Sequence, residues 1–405
     1  MTGTTPGTPS LLRVMNDRAA LDLLLEHGPL SRTRIGRLTG LSKPTASQLL
    51  ARLEAAGLVV ASGTAGGRPG PNAQLYGVNP RAAHVAGLDV TPGGIVAAVA
   101  DLTGEVIGGH ELPYTEGTGA VERVTRALGG AVADAGLRRS DVHRVVIATP
   151  GSFDPSTGAL RYADHLPGWH SPTLLEELAA ALPMPVEYEN DVNLAAVAEQ
   201  RLGAARGHGD FVLLWNEEGL GAALVLGGRL HRGWTGGAGE VGFLPVPGHP
   251  LVRQVARVNS GGYQELAGVQ AVPGMAAALG IGAPPGPAAG PQAPPVAAAV
   301  ALLARAAEQP EGANLLLLQR YATALATGIA ALVAVLDPEI VVLSGAVTAA
   351  GGDVLRGLIE AELADLAASR PRLVSGTVRE RPVLRGALES ALAATRDEVF
   401  DTSRR

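Results

Sequence analysis

Apolar residues near the start of the chain recur at helical spacing and then switch to strand spacing. Residues 11–27 carry an amphipathic helical pattern. Ser31 is placed to N-cap a short helix over 32–39, with Ile35 and Leu38 turned inward, and Gly40 suits the left-handed residue that ends it. Leu41 fills a turn, and Ser42 caps the next helix, whose first turn holds Lys43 and Pro44. In that helix Ala46, Leu49, Leu50 and Leu53 form one apolar stripe, and Gly57 closes it. Residues 58–61 and 75–78 read as two strands joined by the loop SGTAGGRPGPN. The pattern predicts a helix-turn-helix with a wing.

Beyond residue 80 strand and helix signals alternate. Apolar runs at 85–90 and 95–100 flank a Pro92-Gly93-Gly94 turn, and a third strand starts at Val106 and Ile107. There follow a helix over 120–135 and a strand over 145–148, which opens into Thr149-Pro150-Gly151-Ser152-Phe153-Asp154. A helix over 173–181, a strand near 186–188 and a helix over 194–202 complete a first half. The second half repeats the logic: a hairpin over 211–226, a Gly-rich loop from Ala238 to Phe243, helices over 296–308 and 314–336, and a strand over 340–343 entering Ser344-Gly345-Ala346. Residues 281–295, IGAPPGPAAGPQAPP, read as a low-complexity insert. The pattern predicts an α/β protein with a cleft between two lobes, 81–200 and 201–384, behind a head over 1–80.

Charge separates the head from the body. Residues 1–80 hold eight basic and four acidic residues, a net +4 in a chain of net −6, so 81–405 carry −10. Lys43 is the only lysine. The face opposite the apolar stripe presents Pro44, Gln48 and Ala51, flanked by Thr45, Ser47 and Arg52. Such a small, polar face suits a helix entering the major groove. The Gln48 amide can read adenine, and Thr45 can meet a thymine methyl. Arg68 in the Gly/Pro loop suits a phosphate or a narrow minor groove. Double-stranded DNA is therefore the expected partner of the head, with Ser31, Arg32, Lys43, Pro44, Thr45, Ser47, Gln48, Arg52 and Arg68 as candidate contacts. A winged helix that binds only protein is the alternative.

Composition sets bounds. At 405 residues, 46% hydrophobic and 17% charged, the chain has room for two to three domains with large cores. No run of eighteen apolar residues is free of glycine or charge, so no membrane-spanning helix is expected. MTGTTPGTPS lacks the regions of a signal peptide and is expected to be a disordered tail, with a cytoplasmic location the simplest reading. The chain has no cysteine, which excludes disulfides and thiolate metal sites.

The ordered set of motifs resembles the ROK family of repressors, open reading frames and kinases over nearly the whole chain. In the head the resemblance rests on GPLSRTRIGRLTGLSKPT and GGRPG. In the body it rests on Pro150-Gly151-Ser152-Phe153-Asp154 with Gly158, on His165-Leu166-Pro167-Gly168-Trp169 running on to Glu189-Asn190-Asp191, on Ala238-Gly239-Glu240-Val241-Gly242, and on Leu336 through Gly345. It implies a two-lobed, actin-like, sugar-kinase body, a C-terminal helix over 385–405 that joins the first lobe, and a homodimer or homotetramer.

The same resemblance supplies expectations about chemistry. A hexose kinase needs a base, a sugar cradle and loops that grip ATP phosphates. By family position Asp191 is the base, and Asn190, Glu240 and Glu265 bind sugar hydroxyls. Asn190 and Asp191 also precede a helix, and either can serve only as its cap. Two phosphate grips depart from the family pattern. Val90-Thr91-Pro92-Gly93 places a proline, which has no N–H, where a Gly-Gly-Thr-like turn is usual. Glu217-Glu218-Gly219-Leu220-Gly221 brings two carboxylates to the second grip. The zinc of the family takes one His and three Cys; here the His position is Phe243, and the cysteine loop reads HPLVRQVARVNSGGYQE. Trp169 and Trp234 read as packing residues or as sugar-stacking platforms. The expectation is a repressor of carbohydrate genes with a sugar or sugar phosphate as effector, no zinc, no use of ATP and Mg²⁺, and Asp191 a vestigial base. The alternatives are a sugar kinase with a DNA-binding head and a regulator whose body only oligomerises.

Overall fold

The computed structural model describes residues 9–65, 73–154, 159–161, 166, 169, 171, 173–252, 261–282 and 295–401. Residues 1–8 of the expected tail, the tip of the wing with Arg68, and most of the 281–295 insert lie outside them, whereas Pro9 and Ser10, expected in the tail, belong to the first helix.

The head is built from α1 (Pro9–His27), β1 (Leu30–Ser31), α2 (Arg32–Thr39), α3 (Lys43–Ala55), β2 (Val59–Ala65) and β3 (Ala73–Val78). Local chemistry fixes its joints. Ser31 accepts the Arg34 N–H at 3.3 Å, Ser42 accepts the Thr45 N–H at 3.4 Å, and Gly40 and Gly57 take φ of 71° and 72°. Ala46, Leu49, Leu50 and Leu53 are buried as expected. Leu38 is not: it is 38% exposed. Helix α2 has only eight residues, and Leu41 from the turn packs against the core instead. Strands β2 and β3 are longer than the sequence pattern predicts, and β1 adds a third strand in the order β1-β3-β2.

The body contains one strand plan twice. In the first lobe β4 (His84–Thr91), β5 (Gly94–Asp101) and β6 (Val106–Pro113) form an antiparallel meander. Helix α4 (Ala120–Asp134) leads to β7 (Val142–Thr149); the short hairpin β8 (Ser152–Asp154) and β9 (Ala159–Arg161) follows, and α5 (Leu174–Ala181) leads to β10 (Val186–Asn190). The sheet order is β10-β7-β4-β5-β6, with β7 and β10 parallel to β4. Helix α6 (Asp191–Leu202) then crosses to the second lobe.

That lobe repeats the meander in β11 (Phe211–Asn216), β12 (Leu220–Leu226) and β13 (Arg229–Leu230). Four helices, α7 (Gly262–Ala267), α8 (Ala271–Ala278), α9 (Pro295–Glu308) and α10 (Gly312–Leu336), precede β14 (Ile340–Ser344). Helix α11 (Ala346–Leu366) leads to β15 (Arg372–Ser375), and α12 (Pro382–Val399) ends the described fold. The order is β13-β12-β11-β14-β15. By length and composition α10 could cross a membrane, but most of its apolar stretch is buried in the core of this lobe, including Leu317, Leu318, Tyr321, Leu325 and Ile329.

Helices α6 and α12 lie between the two sheets. One core joins Val85, Ala98, Val146 and Ala148 of the first sheet to Phe211, Leu213, Val225 and Val342 of the second through Leu194, Ala195, Leu384, Ala387, Leu388 and Ala391. Separate cores cover the outer faces, one beneath α4 and α5 and one beneath α7–α11. Trp169 is buried in the first of these, so it packs the lobe.

Candidate functional site

Two surfaces present chemistry. The first is the outer face of the head. Lys43, Pro44, Thr45, Gln48 and Ala51 are exposed on α3, and Arg32, Arg34 and Arg37 are exposed on α2. Sequence reasoning singled out Arg32 alone on α2; its signal for the other two was the recurrence of arginine on a helix with no acidic residue.

Several candidate hydroxyls are already engaged within the head. Ser31 holds the start of α2, Ser42 and Thr45 share a hydrogen bond of 2.8 Å, and Ser47 donates to the Lys43 carbonyl at 2.9 Å. The Arg52 Nη2 donates at 2.5 Å to Asp17, which is 2% exposed on α1. Arg52 therefore ties α3 to α1. What α3 offers a groove is the Lys43 ammonium, the Gln48 amide and the small apolar surfaces of Pro44, Thr45 and Ala51.

The second surface is a cleft of about 1350 Å³ between the lobes. It is lined by Gly151, Ser152, Asn190, Asp191, Glu240 and Gln264, and also by Ser344, Gly345, Ala349, Arg356, Gly376 and Arg379. The close approach of Gly239 to the Ala222 carbonyl fixes the Glu240 loop: a Cβ there would sit 2.0 Å from that oxygen, with φ at 97°. Ser152 donates to Glu240 at 2.8 Å, joining the lobes across the cleft. Arg232 of the second lobe donates to Glu189 of the first at 2.6 Å, a second strap.

Asn190 is the N-cap of α6. Its side-chain oxygen accepts the Asn193 N–H at 3.0 Å, and its amide donates to the Gly151 carbonyl at 3.0 Å. The helix thus begins at Asp191, three residues earlier than the apolar pattern predicts, because the Asn-Asp pair starts it. Asp191 accepts the Val192 N–H at 2.8 Å. Burial pushes its carboxyl up to about 7, aided by the negative charges of Asp89 and Glu240. Burial also raises Asp89 to about 6 against the opposing pull of Arg381, and lifts Glu240 and Glu217.

Glu265 is placed elsewhere. Among the described residues it is not part of the cleft wall; it faces His249, with 3.7 Å between its Oε1 and the His249 Nδ1. The neighbouring Gln264 takes the cleft position and accepts the Leu220 N–H at 2.7 Å. A helical turn decides which of two adjacent residues points inward, and the motif spacing alone did not. Trp234 is 91% exposed on the loop between Arg232 and Glu240, outside any packed core.

Thr91, Pro92, Gly93, Glu217 and Glu218 also wall the cleft; Pro92 has no N–H to offer a ligand there, and Glu217 and Glu218 bring two carboxyl groups. A Cys₃His zinc does not fit. The chain has no cysteine, and among the described residues no group of three or more His, Asp or Glu side chains is placed to hold a metal ion.

Comparison with known proteins adds the family. The MarR family model matches residues 16–68, the head. A xylose repressor from Caldicellulosiruptor bescii is 28% identical over 244 residues, 59% of this chain and 61% of that one. A glucokinase from Thermotoga maritima is 30% identical over 238 residues, 55% of this chain and 69% of that one. The chain thus spans about three-fifths of the length of the first curated relatives it matches. A crystal structure of a ROK family transcriptional regulator, a homologue of the E. coli MLC protein, shares the fold with a TM-score of 0.70 at 21% identity, over 96% of this chain and 97% of that one. With the ROK family model matching residues 85–394, and a winged helix-turn-helix on a two-lobed sugar-kinase-like body, the chain belongs to the ROK family.

Proposed function

We propose that the protein is a DNA-binding transcriptional regulator, a repressor of carbohydrate-related genes, whose cleft takes a sugar or sugar phosphate as effector. The observation that carries this reading is the exposed α3 face, with Lys43, Pro44, Thr45 and Gln48 free of the head's core. In this reading two heads on a homodimer or homotetramer engage a pseudo-palindromic operator. Asn190, Asp191 and Glu240 hold sugar hydroxyls, with Gln264 in place of Glu265. Pro92, Glu217 and Glu218 support loss of phosphoryl transfer, and Phe243 supports loss of the zinc. The repressor among the relatives is consistent with this assignment.

Gel shifts against the DNA upstream of its own gene test the head, and calorimetry with a panel of neutral sugars and sugar phosphates tests the cleft. A shift that a shuffled duplex does not produce is expected, and one sugar class is expected to bind and weaken it.

One observation favours a second reading, an active sugar kinase. A carboxyl with its pKa near 7 is well matched to a general base at neutral pH. A coupled ADP-release assay across hexoses separates the two. Turnover abolished by Asp191→Asn establishes the kinase, and no turnover is expected here.

A further inference from the structure

The head does not end where the body begins. Its hydrophobic core is completed by body residues: Leu102 from the β5–β6 turn, and Val399 and Phe400 from the end of α12, pack with Leu21, Leu24, Leu49, Leu53 and Val59. Leu102 and Phe400 are 0% and 1% exposed. Polar contacts follow the same seam. Arg18 of α1 donates to Asp397 at 2.7 Å and lies 5.5 Å from the centre of the Phe400 ring. The Leu102 N–H donates to the Pro80 carbonyl at 3.2 Å, and the Leu102 carbonyl accepts from Arg396 at 3.0 and 3.1 Å.

Both body elements in this seam have their other ends in the cleft. Strand β5 begins after the turn that lines it at Pro92 and Gly93, and α12 begins at Pro382 and Val383, which line it as well, as does the preceding Arg381. Arg381 takes a left-handed φ of 47°, bonds Glu111 and faces Asp89. With eighteen residues, α12 spans about 27 Å.

Helix α12 also lies where movement of the lobes must be felt. It packs on β4, β5 and β7 of the first sheet and on α6, which touches both sheets, β7 and β10 of the first and β11 and β12 of the second. The two helices meet backbone to backbone, since a Cβ on Gly386 would stand 1.8 Å from the Leu194 carbonyl oxygen. A close-packed contact of this kind passes a displacement of one helix on to the other rather than absorbing it.

We propose that α12 transmits the state of the cleft to the DNA-binding face, through the Gly386–Leu194 contact at one end and the seam of Arg18, Leu102, Asp397 and Phe400 at the other. This rests on the regulator reading above. Coupling is reciprocal, so DNA bound to the head must alter the cleft without any added sugar.

The test is hydrogen exchange of the full chain, with and without the DNA upstream of its own gene. In the wild type, DNA is expected to change exchange in 379–392 by roughly fivefold or more, the lower end of ordinary coupling. In Phe400→Ala the DNA still binds, and that distant change is lost. If Phe400→Ala prevents the head from folding, Asp397→Ala, which removes only an exposed ion pair, is expected to reduce the response. Wild-type binding with no change in 379–392 overturns the transmission proposal and leaves the regulator reading standing. So does a response undiminished in the folded variants. No binding by the wild type overturns the regulator reading and the proposal together.

Discussion

Gln48 and Arg52 stand one turn apart on α3 and play different parts. Gln48 is exposed and holds the amide that a base edge can pair with. Gln48→Ala is expected to lower operator affinity by about 1–3 kcal/mol without changing unfolding. Arg52 holds the buried carboxylate of Asp17 with a partly exposed guanidinium. Arg52→Ala is expected to destabilise the head by about 1–3 kcal/mol, seen in urea unfolding followed by far-ultraviolet circular dichroism. An unfolding curve unchanged by Arg52→Ala contradicts this division.

In the cleft, Asp89 at about 6 and Asp191 at about 7 both lie above their ordinary value. The folded chain therefore keeps protons that the unfolded chain has released, and stability falls as pH rises from about 4 to 7. Asp191→Asn is expected to raise the melting temperature at about pH 8 and leave it nearly unchanged at about pH 4, as calorimetry at the two values would show. At this scale the sequence named the residue types well and their orientation less well. Asn190 and Asp191 line the cleft, Gln264 lines it where Glu265 does not, and Arg52 bonds Asp17 of α1, because orientation depends on packing that one residue's identity does not encode.

The elements of the head were the most legible part of the chain. Capping serines, terminal glycines and an apolar stripe are local signals, and each acts within one turn of helix. Ser42→Ala is accordingly expected to cost about 1 kcal/mol, measured as a lower unfolding midpoint. The interleaving of α6 and α12 left no such signal. Both are rich in alanine, and their contact depends on a glycine meeting a backbone far away in sequence. Gly386→Ala must push the helices apart and is expected to destabilise the body by about 1–3 kcal/mol or more, a cost of overpacking visible in thermal unfolding. Stability equal to wild type would show that the helices part easily.

For the molecule as a whole, the order of motifs disclosed a two-lobed body with a basic head. It did not disclose that head and body share a core, since that core is assembled from α1, α3, the β5–β6 turn and the last turn of α12. A head fused in this way is suited to report what the cleft holds. The central claim is that the head reads a DNA sequence, and the most direct measurement is fluorescence anisotropy at fixed salt, with a duplex from upstream of its own gene set against a shuffled duplex. The account predicts a preference of about a thousandfold or more for the native sequence, reduced by Gln48→Ala. Equal affinity for the two duplexes would contradict it.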